Sequence, residues 1–234
     1  MKIYAVKITD IDEEKIERLS LLVTSDKRNK IKNFVNKKDK IRSLIGELLV
    51  IFAIGEELNI ERKNITFEKN KYGKPYIKEY SNFNFNISHS GDFIVCATDD
   101  ASIGIDIEEI KHIEYVDIAR NFFTTIEWDY IAKEDSYDPL SRFYQVWVLK
   151  ESYIKCCGMG LSIPLKSFSI CINKLLNIAP ILNNENNNDF KFKVFDIDPS
   201  YKMAVCSLRN EISNEIIRME PNELINRVLL KAIN

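Results

Sequence analysis

The chain has 234 residues, 45% of them hydrophobic and 29% charged, with a formal net charge of −2. That is enough for one large domain or two small ones with an ordinary core, and too little charge for a whole-surface polyanion binder. No apolar run approaches the roughly 18 residues of a membrane span, and the five cysteines, Cys96, Cys156, Cys157, Cys171 and Cys206, contain no CxxC pair, which argues against a disulfide scaffold or a zinc site.

The first element, "KIYAVKI", alternates like a strand. It lacks the basic head and long apolar core of a signal peptide, so the expected location is the cytoplasm. Ser25 offers an N-cap, and "DKRNKIKNFVNKKDKIRSLIGELLVIFAIGEEL" reads as helix in one or two pieces. Residues 27 to 42 hold eight Lys or Arg and one acid, Asp39. Ile41, Leu44, Ile45, Leu48, Leu49 and Phe52 then recur at helical spacing and predict a core face. "ITFEKNKYGKPYI" predicts a strand followed by a Tyr-Gly-Lys-Pro turn.

Next, "NFNFNISH", "DFIVCAT" and "SIGIDIE" predict a three-stranded antiparallel meander, with Phe83, Phe85 and Ile87 on one face of its first strand. Helical regions are expected near 115–134 and 139–157, and "SFSICIN" reads as another strand. "NIAPILNNENNND" reads as a loop, "FKFKVFDI" and "YKMAVCSL" as a hairpin, and "NELINRVLLKAI" as a short amphipathic helix. Strand, helix and meander thus occur about twice. The expectation is an α+β chain whose second half, 105–234, repeats the architecture of the first, 1–104, as one continuous unit.

Four constellations carry possible chemistry. Asp106 and Glu108 share one face of the strand "SIGIDIEEI", behind the small Ser102 and Gly104. Paired carboxylates suit a hard cation such as Mg²⁺, which shares its shell with phosphates; they also suit the wet face of an edge strand. In "VWVLKESYIKCC", Glu151 and Lys155 are one helical turn apart. That is either a surface pair worth ~0.3–0.5 kcal/mol or a third carboxylate beside a cation for a phosphate. His89 follows Ser88 at a strand end, and both could contact phosphate oxygens. Lys27, Lys30, Arg42 and Ser43 lie on the basic helical stretch, and Lys74 lies on the turn. Two histidines, His89 and His112, exclude a histidine-rich metal centre.

In this order the motifs resemble one family. "FNISHSGDFIVCATDDASIGIDIEEI", followed about 40 residues later by "FYQVWVLKESYIKCCGMGLSIPLKSFSI", is similar to the surfactin-synthetase-activating type of 4'-phosphopantetheinyl transferase. "MKIYAVKI", "IRSLIGELL", "KYGKPYI" and "YKMAVC" match its pattern as well, so the resemblance spans nearly the whole chain. Phe93 departs from it, standing where the family often has Trp.

The resemblance implies transfer of the 4'-phosphopantetheine arm of coenzyme A to a serine of an apo carrier protein, releasing adenosine 3',5'-bisphosphate. It implies two similar α/β halves about a pseudo-twofold axis. Asp106, Glu108 and Glu151 match Mg²⁺ ligands. Glu151, or a water held by the metal, is the expected base, and Lys155 the group that stabilises the departing phosphate. Ser88 and His89 match contacts to coenzyme A phosphates. Lys27, Lys30, Arg42, Ser43 and Lys74 match positions at its nucleotide end. The carrier is expected to dock on the segment 111–128, with Ile113, Val116, Phe122 and Phe123 and aided by Lys111 and Arg120, and on the stretch after Lys155. A monomer without nucleic-acid or membrane partners is expected. Two other readings compete: a Mg²⁺-dependent nucleotide or phosphoanhydride hydrolase, which needs no carrier, and a nucleic-acid-binding module, which leaves the three acids without a role and predicts salt-sensitive binding.

Overall fold

A computed structural model describes residues 1–61, 64–134, 137–172, 178–182, 185–186 and 189–233. Strand β1 (Lys2–Lys7) is buried along both faces. Tyr4 and Val6 point to one apolar cluster, and Ile3 and Ala5 to another. That double burial places β1 in the middle of a layered molecule. It pairs antiparallel with β5 (Phe93–Asp99), which in turn pairs with β4 (Asn84–Ser90).

Helices α1 (Glu13–Ser20), α2 (Ser25–Asn33) and α3 (Lys37–Leu58) follow β1. The first is absent from the sequence reading. Asp12 caps it by accepting from the Lys15 amide at 2.7 Å, and Ile16 and Leu19 anchor it in the core. The cap of α2 is Thr24, one residue before the expected Ser25. All six residues of the expected α3 stripe, Ile41 to Phe52, are buried against the sheet. A small β2–β3 hairpin (Phe67–Lys69 and Pro75–Ile77) carries the Tyr-Gly-Lys-Pro turn.

The expected three-stranded meander stops at two strands. Strand β6 (Ile103–Glu109) makes no backbone ladder with β5 and pairs antiparallel with β11 (Tyr201–Ser207), which also holds β10 (Lys191–Phe195). The reason is packing. Ile103, Ile105 and Ile107 lie face to face against Phe93, Val95 and Ala97, so the third strand turns under the first sheet and does not extend its edge. The Asp99-Asp100 turn is held by Arg209, whose guanidinium Nε donates to Asp99 at 2.7 Å and whose Nη2 pairs with Asp100.

Behind this second sheet lies α6 (Pro139–Cys157), capped by Asp138 and closed by Gly158 in the left-handed conformation, φ 69°. The order through the molecule is helix, sheet, sheet, helix: an α+β architecture with α3 on one outer face and α6 on the other. Helices α4 (Tyr115–Phe122) and α5 (Thr125–Ile131) pack on α6 through Phe123, Phe143 and Val146. Strand β7 (Ser169–Ile172) pairs with β8 (Ile178–Leu182), which pairs with β9 (Glu185–Asn186). The Asn-rich stretch expected as loop is strand at 178–182 and 185–186, where the apolar run 178–182 completes the edge of β7, and turns at Asp189; residues 177, 183–184 and 187–188 lie outside the described residues. Finally, β12 (Ile217–Met219) returns to pair parallel with β1, and α7 (Pro221–Ile233) packs on α3. Among the described residues no helix is long and apolar enough to cross a membrane.

Candidate active site

The site begins at a glycine. A Cβ on Gly104 would overlap the Ser152 carbonyl oxygen and the Cys156 amide nitrogen, so only glycine lets the backbone of α6 rest directly on β6. That contact brings Lys155 and Glu151 to the face of β6 that carries Asp106 and Glu108. The odd residues Ile103, Ile105 and Ile107 are spent on the core between the sheets. The alternation read from "SIGIDIEEI" thus separates core from chemistry along a single strand.

Lys155 spends its ammonium protons here. Its Nζ donates to Asp106 Oδ1 at 2.6 Å, to Ser88 Oγ at 3.0 Å and to the Ile105 carbonyl at 3.3 Å. No Glu151–Lys155 ion pair forms; the lysine reaches across to the strand. Ser88 Oγ also donates to Asp106 Oδ1 at 2.8 Å. The other oxygen of that carboxylate, Asp106 Oδ2, is buried with no hydrogen-bond partner. A buried polar atom left without a partner costs about 1–3 kcal/mol, so this oxygen marks a place for a further ligand.

Charge in the cleft is out of balance in the same direction. Burial holds the Glu108 carboxyl above its ordinary pKa, and the Asp106 and Glu151 charges add to that, while the Ser90 hydroxyl and Lys155 oppose it. Glu151 is raised as well, first by burial and then by Asp106. Among the described residues no three His, Cys, Asp or Glu side chains form a ready-made metal cage. The donor set nevertheless fits a hard dication: three carboxylates with excess negative charge, one of them carrying an unpartnered buried oxygen.

The predicted anion contacts fall into two groups. His89 is open to solvent on one side; partial burial and the nearby Arg42 guanidinium hold its pKa below the usual value. Arg42 itself donates to the Gly91 carbonyl at 2.9 Å and to Asp39 at 2.6 Å. On the same helix, Ser43 lies one turn before Glu47, which pairs with Lys27 at 3.4 Å. Lys30 is exposed on α2. Lys74 stands apart. Its ammonium donates to the carbonyls of Ile103 (2.9 Å), Lys155 (2.7 Å) and Cys156 (3.4 Å), where it satisfies the C-terminal end of α6, and burial lowers its pKa.

Of the expected docking residues, Ile113 and Phe122 are exposed, Val116 is half-buried and Phe123 belongs to the core. Ile126, within the same 111–128 segment, is 48% exposed. Three groups escaped the sequence reading. Asn86 and Ser90 flank Ser88 on the same face of β4 and bond to β6; the polar alternation N-x-S-x-S in "NISHS" was the signal for them. Lys150 is fully buried and donates to Glu127 at 2.5 Å and to the Phe168 carbonyl at 2.8 Å. Its helical neighbours Phe143, Val146, Trp147, Tyr153, Ile154 and Cys157 are all apolar, a signal in the sequence that sets it apart from Lys155.

A family model described as the 4'-phosphopantetheinyl transferase superfamily matches residues 102–206, and one described as 4'-phosphopantetheinyl transferase, N-terminal, matches residues 11–101. The chain is 35% identical over 226 residues to the 4'-phosphopantetheinyl transferase Sfp of Bacillus subtilis (strain 168), covering 96% of this chain and 100% of that protein. It is 36% identical over 222 residues to the 4'-phosphopantetheinyl transferase gsp of Aneurinibacillus migulanus, covering 94% and 91%. With the human L-aminoadipate-semialdehyde dehydrogenase-phosphopantetheinyl transferase the identity is 31% over 205 residues, 79% of this chain and 66% of that protein. The chain belongs to the 4'-phosphopantetheinyl transferases of the surfactin-synthetase-activating type, and it is an enzyme.

Proposed function

We propose that the cleft between β4, β6 and α6 is where this transferase moves the 4'-phosphopantetheine arm of coenzyme A onto a serine of an apo carrier protein. The observation that carries the assignment is the incomplete pair at its centre: Asp106 gives one oxygen to Lys155 and Ser88 and keeps the other buried and unpartnered. Asp106, Glu108 and Glu151 are the residues that would hold Mg²⁺. When bound, the ion neutralises charge on the pyrophosphate as a P–O bond breaks.

The chain's own groups account for the rest. The carrier serine oxygen attacks the phosphorus that bears the pantetheine arm, forming the new O–P bond. The bridging P–O bond breaks, and its electron pair leaves with adenosine 3',5'-bisphosphate. Glu151, or a water held by the metal, accepts the serine hydroxyl proton. Lys155 is placed to stabilise the leaving phosphate oxygen. Ser88 and His89 line the phosphate path. Lys27, Lys30, Arg42 and Ser43 make a local anion pocket for the nucleotide end on a nearly neutral protein. Lys74 takes part only if its ammonium leaves three carbonyls.

The carrier docks on the α4–α5 rim. There Ile113, Phe122 and Ile126 are exposed, Arg120 stacks over Trp128 and Lys111 pairs with Glu109. This is an apolar patch edged by cations for an acidic partner. The working form is a cytoplasmic monomer without nucleic-acid or membrane partners. The test is to incubate the protein with coenzyme A, Mg²⁺ and apo carrier proteins, then weigh the carriers. Gain of phosphopantetheine is expected. Consumption of coenzyme A with no gain on any carrier would favour a phosphoanhydride hydrolase and overturn the proposal.

A further inference from the structure

Strands β4 and β6 lie side by side in different sheets, with no backbone ladder between them. The amides of β6 on that side would be orphaned, which a buried strand does not tolerate. Three side chains of β4 take the place of carbonyls. Asn86 Oδ1 accepts from the Ile105 amide at 2.9 Å, Ser88 Oγ from the Ile107 amide at 3.4 Å and Ser90 Oγ from the Glu109 amide at 3.0 Å. Period two on both strands keeps the three in step.

The two serines do more than the asparagine. A hydroxyl that accepts from an amide still has its own proton to give. Ser88 gives it to Asp106 at 2.8 Å, and Ser90 gives it to Glu108 Oε2 at 2.7 Å. Each serine therefore accepts from the amide of one residue of β6 and donates to the carboxylate of the residue before it. The amide bond fixes where the hydroxyl sits, and the hydroxyl fixes where the carboxylate points. Ser88 already belongs to the proposed phosphate site. Ser90 has no such role.

We infer that Ser90 is a positioning residue. Held by the Glu109 amide, it orients the Glu108 carboxylate for a divalent cation and couples the first sheet to the acid-bearing strand of the second. This rests on the assignment of Glu108 as a cation ligand. A hydrogen bond of this kind sets ligand orientation, and its loss costs about 10–100-fold in metal affinity.

The test is a Mn²⁺ titration, read by electron paramagnetic resonance, of the full chain with saturating coenzyme A and no carrier. Ser90→Ala should weaken Mn²⁺ binding by about tenfold and lower kcat with little change in the KM for coenzyme A. Ser90→Thr keeps the hydroxyl and should restore affinity to within about threefold of the parent. Asn86→Ala removes the same kind of seam bond without touching a carboxylate. It should lower the melting temperature about as much as Ser90→Ala but leave Mn²⁺ affinity within about twofold. Glu108→Gln is run in parallel. If it binds Mn²⁺ like the parent, the assignment of Glu108 as a ligand fails. If Glu108→Gln loses Mn²⁺ while Ser90→Ala keeps parental affinity, or if Asn86→Ala weakens Mn²⁺ as much as Ser90→Ala, the positioning role fails and Ser90 only joins the sheets.

Discussion

Lys150 and Lys155 lie five residues apart on α6, and each forms a short ion pair with a buried carboxylate, yet the two regions around them are built on opposite plans. At Lys150 every group is satisfied. Both side chains of the pair are wholly buried, Glu127 accepts from the Ile170 amide at 2.8 Å and the Thr124 amide at 2.9 Å, and the ammonium lies 4.1 Å from the Phe168 ring centroid. At Lys155 the ammonium side chain is 26% exposed, and one oxygen of its partner Asp106 has nothing to bond. The closed pair ties α5, α6 and β7 together and offers a ligand nothing. The open pair is bound only on one side, which is what a site for an incoming cation and phosphate requires. A buried charge pair alone therefore says little about function; an unsatisfied atom within it says more.

The contrast can be broken at several points. The largest effect on turnover is expected from Asp106→Ala, a loss of about a thousandfold in a protein that still melts cooperatively, measured as the initial rate of carrier loading. Lys155→Ala should lower kcat by about a hundredfold and change coenzyme A affinity far less. An unchanged kcat would return Lys155 to the status of a structural cation. Lys150→Met should do the reverse. It leaves Glu127 charged and buried, so a loss of ~3–5 kcal/mol in unfolding free energy is expected by denaturant titration, with kcat within about threefold wherever the variant is folded. If Lys150→Met kept full stability, the closed pair would not be the tie described here. The smallest effect belongs to Glu109→Gln. Its side chain points to the opposite face and pairs with exposed Lys111 at 2.9 Å, so loading should stay within about twofold of the parent.

The sequence made one plan readable and hid the other. Asp106 and Glu108 could be placed on one strand face because strand periodicity is local, and the α3 stripe followed from helical spacing in the same way. The joint occurrence of G-I-D-I-E and W-x-x-K-E-S-x-x-K carried the family. Which carboxylate each of the two lysines in that second motif meets could not be read, because the partners Glu127 and Asp106 lie 23 and 49 positions away. The departure of β6 from the meander depends on β11, about a hundred residues further on, and on face-to-face packing that alternation alone does not distinguish from edge pairing. Phe122 and Phe123 are adjacent and chemically alike, yet one is exposed and the other core, a difference fixed only by where α4 ends. Lys74 ends the expected turn, but the direction of its ammonium depends on where α6 stops.

The incomplete Asp106 pair is the proposed reaction centre. Its most direct test is to follow, by mass spectrometry, the rate at which the parent and Asp106→Ala load one apo carrier from coenzyme A across a Mg²⁺ titration. Mg²⁺-dependent loading is expected of the parent, and almost none of a folded Asp106→Ala at any Mg²⁺ concentration. Loading by Asp106→Ala at the parental rate, with the same dependence on Mg²⁺, would contradict this assignment.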